Sequence, residues 1–109
     1  MPNGALTEGV YYILLSLIRP LHGYGIMQKV EKLSEGRVRL AAGTLYGAIN
    51  TLLEKRWISS LPGERDSRKK DYVITEEGKQ ALREELARLC ELVENGKREL
   101  EEKDEKDRV

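Results

Sequence analysis

The chain has 109 residues, with 19 basic side chains, 19 acidic side chains and a single cysteine. This length indicates one domain with a modest core, and no run approaches the ~18 apolar residues that a membrane-spanning helix needs. One cysteine excludes an intramolecular disulfide and is typical of a reducing compartment, so we expect a cytoplasmic protein.

The charge is unevenly distributed although it sums to zero. Residues 37–72 hold eight basic and four acidic groups, whereas residues 73–109 hold eight basic and twelve acidic groups. Phosphate binding requires a local basic patch rather than a positive total. The zero net charge therefore does not exclude a nucleic-acid partner.

Two helices are predicted in the first third of the chain. Thr7 can cap a first helix that runs to about Ile18. Most sides of this helix are apolar, which predicts that its extra apolar face meets a partner subunit. After a break at residues 19–23, a second helix runs from about Tyr24 to Leu33.

The segment after the second helix contains a stop signal and a strand pattern. Gly36 is well suited to the left-handed position that ends a helix. Polar and apolar residues alternate along Arg37–Leu40, which predicts a very short strand.

A third helix is predicted from Ala42 to about Arg56, and its two faces differ in character. The apolar stripe consists of Leu45, Ala48, Ile49, Leu52 and Leu53. The opposite face carries small or hydrogen-bonding groups, namely Gly43, Thr44, Gly47, Asn50, Thr51 and Glu54. Because each glycine weakens a helix by about 1 kcal/mol, we expect close approach to another backbone, such as a phosphodiester chain, to offset the loss. The alternative is an ordinary amphipathic core helix with a poor surface.

A β-hairpin is predicted after the third helix. The strands are Trp57–Leu61 and Lys69–Ile74, and the loop between them is rich in turn formers. Basic residues gather at its tip, namely Arg65, Arg68, Lys69 and Lys70.

The last helix is predicted to begin after Thr75, which can cap it, and to run to about Lys103. Its apolar residues have the spacing of a coiled-coil seam, in which Gly96 completes the pattern. Asn95-Gly96 is a weak point of the helix, and the charged residues from Glu99 onward predict a frayed tail. The seam consists of Leu82, Leu86, Leu89, Val93 and Leu100.

This order of elements predicts a mainly α fold with a small β-hairpin. We expect residues 1–75 to form a winged helix-turn-helix DNA-binding domain, and residues 76–109 to form a C-terminal dimerisation helix with a charged tail. The third helix can enter a major groove while the hairpin lies along phosphates. Two joined copies would present their third helices to successive major grooves, roughly 34 Å apart.

Three segments in this order make the chain resemble the PadR family of bacterial winged-helix transcriptional regulators, in its short form. The segments are Leu21–Ile26, Gly43–Ile49 and Lys69–Gly78, and with their spacing the resemblance covers about residues 5–90. It implies a homodimer, held by the C-terminal helix and the partner's first helix, and no separate C-terminal effector domain. It also implies repression of nearby genes, often relieved by a small molecule.

The resemblance has one departure. Some relatives bind flat hydrophobic drugs in a cavity at the dimer interface, against a tryptophan of the last helix. The single tryptophan here is Trp57, which follows the third helix instead. An aromatic drug site built on the last helix is therefore not implied.

Candidate DNA-contacting residues lie on the third helix, on the wing and at the start of the second helix. Asn suits adenine and Thr suits a thymine methyl group, whereas no Arg or Lys lies centrally on the third helix. DNA shape and backbone contacts are therefore expected to carry much of the specificity. The resemblance supports a phosphate contact by the Tyr46 hydroxyl, and the alternative is a tyrosine that only packs. For the basic residues of the wing, the alternative is that their charges are simply solvated. The candidate DNA-contacting residues are Thr44, Tyr46, Gly47, Asn50, Thr51, Arg65, Arg68, Lys69, Lys70, His22 and Tyr24.

Apolar residues of the first and last helices form the candidate dimer interface. They are Tyr11, Leu15, Leu82, Leu86, Leu89, Cys90 and Val93. An effector pocket between subunits is expected to be lined by residues of the same two helices, namely Tyr11, Tyr12, Leu15, Leu89 and Val93. Ordinary dimer core is the alternative for that cluster, and a redox switch at Cys90 would lack a nearby resolving cysteine.

We expect no cofactor, metal or catalytic activity. His22 and Cys90 alone do not supply the ligands of a metal site, and no nucleophile–base pair or Gly-rich phosphate loop is present. The alternative to a dimeric DNA-binding repressor is a winged-helix module for protein–protein interaction without DNA binding. Among regulators the nearest rival is a MarR-like protein, which would be longer and carry added N-terminal helices.

Overall fold

The computed structural model describes residues 4–62 and 70–108 of the chain. Helices dominate among these residues, in which three short strands form one small sheet. This arrangement confirms the mainly α winged helix-turn-helix fold. In chain order the elements are α1 (Glu8–Ser16), β1 (Leu21–His22), α2 (Gly23–Leu33), α3 (Ala42–Glu54), β2 (Ile58–Pro62), β3 (Lys70–Ile74) and α4 (Glu76–Arg108).

Two threonines cap the first and last helices, as their positions in the sequence predict. Thr7 Oγ1 accepts a hydrogen bond from the Val10 N–H at 3.2 Å. Thr75 Oγ1 accepts one from the Gly78 N–H at 3.1 Å. Glutamates occupy the first turn of both helices, where the helix dipole favours negative charge.

The sheet is antiparallel with the order β1-β3-β2, so β3 is its central strand. β2 and β3 form the predicted hairpin, in which Ile58 lies opposite Ile74 and Pro62 lies opposite Lys70. β1 pairs Leu21 with Tyr72, a strand that the sequence analysis did not identify. This pairing ties the start of α2 to the hairpin.

The strand predicted at Arg37–Leu40 is wrong, because this segment is a loop between α2 and α3. The Val38 N–H donates a hydrogen bond to Ser34 Oγ at 2.9 Å, so a side chain takes the place of a neighbouring strand. Val38 and Leu40 pack against the core, which explains the alternation of polar and apolar residues. Gly36 has a φ of +82°, as predicted for the residue that ends α2.

One hydrophobic core joins all four helices and the sheet. Leu45, Ile49 and Leu52 of α3 are buried in it, which confirms the predicted inward stripe. Burial of each large aliphatic side chain contributes about 1.5–3 kcal/mol. The core consists of Ile13, Leu14, Leu17, Ile26, Val30, Leu45, Ile49, Leu52, Trp57, Ile58, Tyr72, Ile74, Ala81 and Leu82.

The start of α4 is fastened to the end of α3. The Trp57 carbonyl accepts a hydrogen bond from the Thr75 N–H at 2.9 Å, and the Arg56 carbonyl accepts one from Thr75 Oγ1 at 2.7 Å. A Cβ at Gly78 would collide with the Trp57 carbonyl, so only glycine allows this approach. The direction of α4 is therefore set by the turn that follows α3.

α4 continues as one helix of 33 residues, including the predicted weak point at Asn95-Gly96. At 1.5 Å per residue it is about 50 Å long, and the chain measures 70 × 32 × 21 Å. Ala81 and Leu82 lie in the core, whereas residues 90–101 are exposed. Within residues 4–62 and 70–108, no helix is long and apolar enough to cross a bilayer.

Candidate nucleic-acid interface

The outer face of α3 is open to solvent. Thr44, Tyr46 and Gly47 are exposed on it, and so are Asn50 and Thr51. The structure therefore brings all five residues predicted from this helix onto one surface, opposite the buried stripe. Apart from Tyr46, none of them is bulky, so a partner can approach the α3 backbone closely.

The two glycines of this face, Gly43 and Gly47, pack against no other element in the part of the chain that the structure describes. A Cβ built at Gly43 or at Gly47 would meet no atom within 4 Å among the described residues. A close contact inside the domain therefore does not explain their presence in a helix, where each costs about 1 kcal/mol relative to alanine. What they provide is a smooth surface that faces outward.

Tyr46 links α3 to the start of α2. A Cβ built at Gly23 would collide with the Tyr46 hydroxyl and would lie 2.8 Å from Cζ, so the phenol rests directly on that glycine. Tyr46 nevertheless remains 46% exposed. Burial raises the pKa of Tyr72 on β3, and the nearby Tyr46 adds to the shift. Tyr46 thus packs on its neighbours while its outer edge stays available to a partner.

The N-termini of α2 and α3 differ from those of α1 and α4. In the described part of the chain, neither His22 before α2 nor Ala41 before α3 forms a side-chain cap, and neither first turn carries an acid. Their N–H groups and positive dipole ends therefore remain available to anions such as phosphates. His22 is half-buried and Tyr24 is 63% exposed at the start of α2.

The predicted basic wing lies only partly within the described residues. Lys70 is exposed at the beginning of β3, opposite Pro62 on β2. Arg65, Arg68 and Lys69 lie outside the described residues.

Several basic residues of the 37–72 stretch have partners within the domain. Arg37 forms an ion pair with Glu8, and Arg39 Nε lies 3.0 Å from Glu31 Oε1. Lys55 Nζ lies 4.6 Å from the centroid of the Trp57 ring. The two ion pairs reduce the positive charge that is free for phosphates, which the count along the sequence did not reveal.

The predicted dimer residues fall into two groups. Leu82 is only 8% exposed in the core of its own chain, because the first turns of α4 pack there. Leu86 and Val93 are both 52% exposed, and Cys90 is exposed as well. Tyr11, Leu15 and Leu89 are half-buried. The exposed apolar face of α4 also includes Leu92 and Leu100.

A pocket of about 320 Å³ lies between α1 and α4. It brings together Tyr11, Tyr12 and Leu89 of the predicted effector site, and the two tyrosine rings meet edge to face at 6.0 Å. Leu15 and Val93 are not part of its lining. The lining also contains Leu6, Glu8, Glu85 and Arg88.

Glu85 is a residue of this pocket that the sequence analysis missed. Its carboxylate is 5% exposed, and it accepts hydrogen bonds from Arg88 at 2.6 and 2.8 Å and from the Leu6 N–H at 3.1 Å. The hydrogen bond from Arg88 holds the pKa of Glu85 below its usual value against the effect of burial. The spacing to Arg88 was visible in the sequence, but the contact with Leu6 joins residues 79 positions apart.

The fold and its motifs are shared with known proteins. A comparison with protein-family models matches residues 13–84 to the "Transcriptional regulator PadR-like family". A comparison with curated proteins finds no match.

Solved structures extend this similarity. A PadR family transcriptional regulator from Eggerthella lenta is 28% identical, with 84% of this chain and 80% of that chain covered and a TM-score of 0.69. Bacillus subtilis PadR in complex with operator DNA is 25% identical, with 71% and 46% covered and a TM-score of 0.59. H. salinarum RosR has the same fold at 22% identity, with 95% and 96% covered and a TM-score of 0.66.

Proposed function

Because the chain belongs to the PadR-like family of transcriptional regulators, we propose that it represses transcription as a homodimer bound to operator DNA. The observation that carries this proposal is the outer face of α3, where two glycines pack against no other element among residues 4–62 and 70–108. The glycines lower the stability of the helix, and a partner whose backbone approaches closely can offset this loss. B. subtilis PadR, a structural relative, has been solved with operator DNA.

In this proposal the contacts divide by chemistry. Asn50, Thr44 and Thr51 of α3 reach base edges, and Gly47 lets the DNA approach the helix. Tyr46, His22 and Tyr24 contact phosphates together with the uncapped N-terminus of α2. The wing residues Arg65, Arg68, Lys69 and Lys70 also contact phosphates.

The exposed apolar face of α4 supports the proposal of a dimer. Its apolar residues remain exposed over several turns in the single chain, and a second copy would cover them. We propose that residues 1–75 bind DNA and that residues 76–109 join the two copies, with the first turns of α4 shared between these roles. The interface takes in Tyr11, Leu15, Leu86, Leu89, Cys90 and Val93, while Leu82 supports it from the core.

The pocket between α1 and α4 supports regulation by a small molecule. Its volume of about 320 Å³ lies at the lower end of the ~300–1,000 Å³ range of ligand pockets. Tyr11, Tyr12 and Leu89 provide apolar walls beside the helix that joins the copies. An effector bound there would shift α4 relative to α1 and so change the spacing of the two α3 helices in the cytoplasmic dimer.

The test is a fluorescence-anisotropy titration of the full chain with the DNA upstream of its own coding sequence, repeated across salt concentrations. A scrambled duplex of equal length and composition is the control. We expect tighter binding to the upstream DNA and an affinity for both duplexes that falls steeply with salt, because bound phosphates release counterions. Absence of binding at low salt would favour the protein-interaction module instead.

A further inference from the structure

The hydroxyl group of Thr51 is already bonded within α3, although the side chain is exposed on the outer face of that helix. Thr51 Oγ1 donates a hydrogen bond to the Gly47 carbonyl at 3.2 Å, one turn earlier in the helix. A threonine hydroxyl has a single proton, so this bond uses the only donor of the side chain. The groups that Thr51 still offers to a partner are its methyl group and the lone pairs of its oxygen.

This hydrogen bond limits the groups of DNA that Thr51 can recognise. Phosphate oxygens, guanine O6 and N7, and thymine O4 are all acceptors, so each of them requires a donor from the protein. Thr51 has no donor left for them while it bonds the Gly47 carbonyl. Two contacts remain: an apolar contact with the methyl group of a thymine, or a hydrogen bond accepted from the amino group of adenine or cytosine.

A neighbouring carboxylate favours the apolar contact. Glu54 is exposed three positions after Thr51, so the two side chains are neighbours on the surface of α3. Hydrogen bonds to an ionised carboxylate are stronger than those to a neutral oxygen, so a base amino group at this point binds Glu54 in preference to Thr51. The negative charge of Glu54 also repels phosphates. The role left to Thr51 is a methyl contact with a base edge.

The surface around Thr51 is open enough for base edges to reach it. Gly47 lies one turn before Thr51 on the same face of α3, and glycine has no side chain that could shield the threonine. A Cβ built at Gly47 would meet no atom within 4 Å among the described residues. A flat surface, such as the floor of a major groove, can therefore approach Thr51 closely.

We propose that Thr51 recognises a thymine in each half of the operator through its methyl group, while its hydroxyl stays bonded to the Gly47 carbonyl. This inference rests on the proposed function, because it names the base that one residue of the same interface reads. Two α3 helices in one dimer make the contact twice, once in each half-site. Thr51 thus determines specificity at one base pair per half-site without donating a hydrogen bond to DNA.

Replacement of thymine by deoxyuridine tests the contact directly, because it removes only the 5-methyl group. Symmetric pairs of thymines in the upstream DNA are replaced one pair at a time, and the affinity of the full chain is measured by fluorescence anisotropy. Loss of one buried methyl group corresponds to about a fourfold loss of affinity, so one pair should weaken binding about fifteenfold. If the protein binds its operator and no pair shows a loss, the inference is overturned and the regulator stands. A protein that binds no DNA contradicts both.

Two variants separate the methyl group of Thr51 from its hydroxyl group. Thr51→Ser keeps the hydroxyl and removes the methyl, so it should bind the thymine and deoxyuridine duplexes with equal affinity. Thr51→Val keeps a methyl in the same place and removes the hydroxyl, so it should retain the difference between the duplexes. Discrimination that persists in Thr51→Ser, or that is lost in a folded Thr51→Val, would overturn the proposal.

Thr44→Ser is the matched control, because Thr44 is another exposed threonine on the outer face of α3. It should keep the discrimination at the thymine pair that Thr51 recognises. Circular dichroism verifies the fold of each variant, and affinity for the scrambled duplex verifies the phosphate contacts, which dominate non-specific binding. Loss of the same discrimination in Thr44→Ser would indicate a general weakening of the interface and would contradict the assignment to Thr51.

A second set of duplexes separates the methyl contact from sequence-dependent DNA shape. At the sensitive pair, thymine is replaced by cytosine or by 5-methylcytosine, with guanine opposite, so the two duplexes again differ by one 5-methyl group per half-site. We expect the unaltered protein to bind the 5-methylcytosine duplex more tightly and Thr51→Ser to bind both equally. Equal affinity of the unaltered protein for both duplexes would show that deoxyuridine acts through duplex shape, and the proposal would be wrong.

Discussion

The phenol of Tyr46 rests on Gly23, so that a residue of α3 covers the first turn of α2. Any side chain at residue 23 would displace the ring, while the outer edge of Tyr46 remains exposed. This contact sets the position of a hydroxyl group beside the uncapped N-terminus of α2. A phosphate bound there would meet the hydroxyl and the helix N–H groups together.

Tyr46→Phe separates the packing role of this residue from its DNA-binding role. The ring still covers Gly23, so we expect the free energy of unfolding to change by less than about 0.5 kcal/mol. Loss of a hydrogen bond to a charged phosphate should weaken operator binding by about tenfold. Chemical denaturation and anisotropy titration measure the two effects. A variant that keeps full operator affinity would show that Tyr46 only packs.

Gly47→Ala should affect stability and DNA binding in opposite directions. The added methyl group meets nothing within the described chain, so the helix should gain up to about 1 kcal/mol. The same methyl group should weaken operator binding, because it holds the DNA backbone away from α3. Gly96→Ala is the matched control on α4, where a Cβ also meets nothing; it should gain stability and keep its operator affinity at concentrations that saturate the dimer. Equal DNA binding by both variants would contradict the role of Gly47.

Lys70→Ala tests the wing through its salt dependence. A phosphate contact contributes to all sequences alike, so we expect weaker binding to operator and scrambled DNA by a similar factor. The slope of log affinity against log salt should decrease by roughly one counterion. The same result is expected for Arg65→Ala, Arg68→Ala and Lys69→Ala. A loss confined to the operator sequence would instead indicate that the side chain reads bases.

Two substitutions on α4, Val93→Glu and Leu82→Ala, should have different consequences. Val93→Glu places a charge on the exposed apolar face, so it should break the dimer while the chain stays folded. Leu82→Ala removes a buried core side chain, so it should destabilise the fold by about 2–5 kcal/mol. Sedimentation velocity and thermal unfolding distinguish the two outcomes. If Val93→Glu remains a dimer with unchanged affinity, that face of α4 is not the interface.

Glu85 should make stability depend on pH in the acidic range. Arg88 lowers the pKa of Glu85 in the folded protein, so the stability it contributes is complete above its ordinary value of 4.5. This contribution is lost as the pH falls from that value through the lowered pKa of the folded state. Glu85→Gln should remove this part of the pH dependence, measured by urea unfolding at successive pH values. Glu91→Gln, an exposed change on the same helix, should keep the original profile.

The sequence predicted most of the helices because their signals are local. Thr7 and Thr75 mark two helix starts, and the stripe through Leu45 and Leu52 correctly placed the inner face of α3. β1 was missed because two residues between Pro20 and Gly23 carry no periodic pattern.

Contacts between distant parts of the chain could not be predicted in the same way. The hydrogen bond from Leu6 to Glu85 and the approach of Gly78 to the Trp57 carbonyl depend on the folded arrangement. The ion pair between Glu8 and Arg37 likewise removed a charge that had been counted toward the basic patch. The polar and apolar faces of one helix can thus be predicted from the sequence, whereas pockets and ion pairs between different elements cannot.

The most direct test of the account is a hydroxyl-radical footprint of the protein on its own upstream DNA. Two α3 helices carried by one dimer should protect two patches on one face of the duplex, about one helical turn or roughly 34 Å apart. Gly47→Ala and Lys70→Ala should weaken both patches together. A single protected patch, or protection that is the same along unrelated DNA, would contradict the proposal that paired α3 helices read an operator.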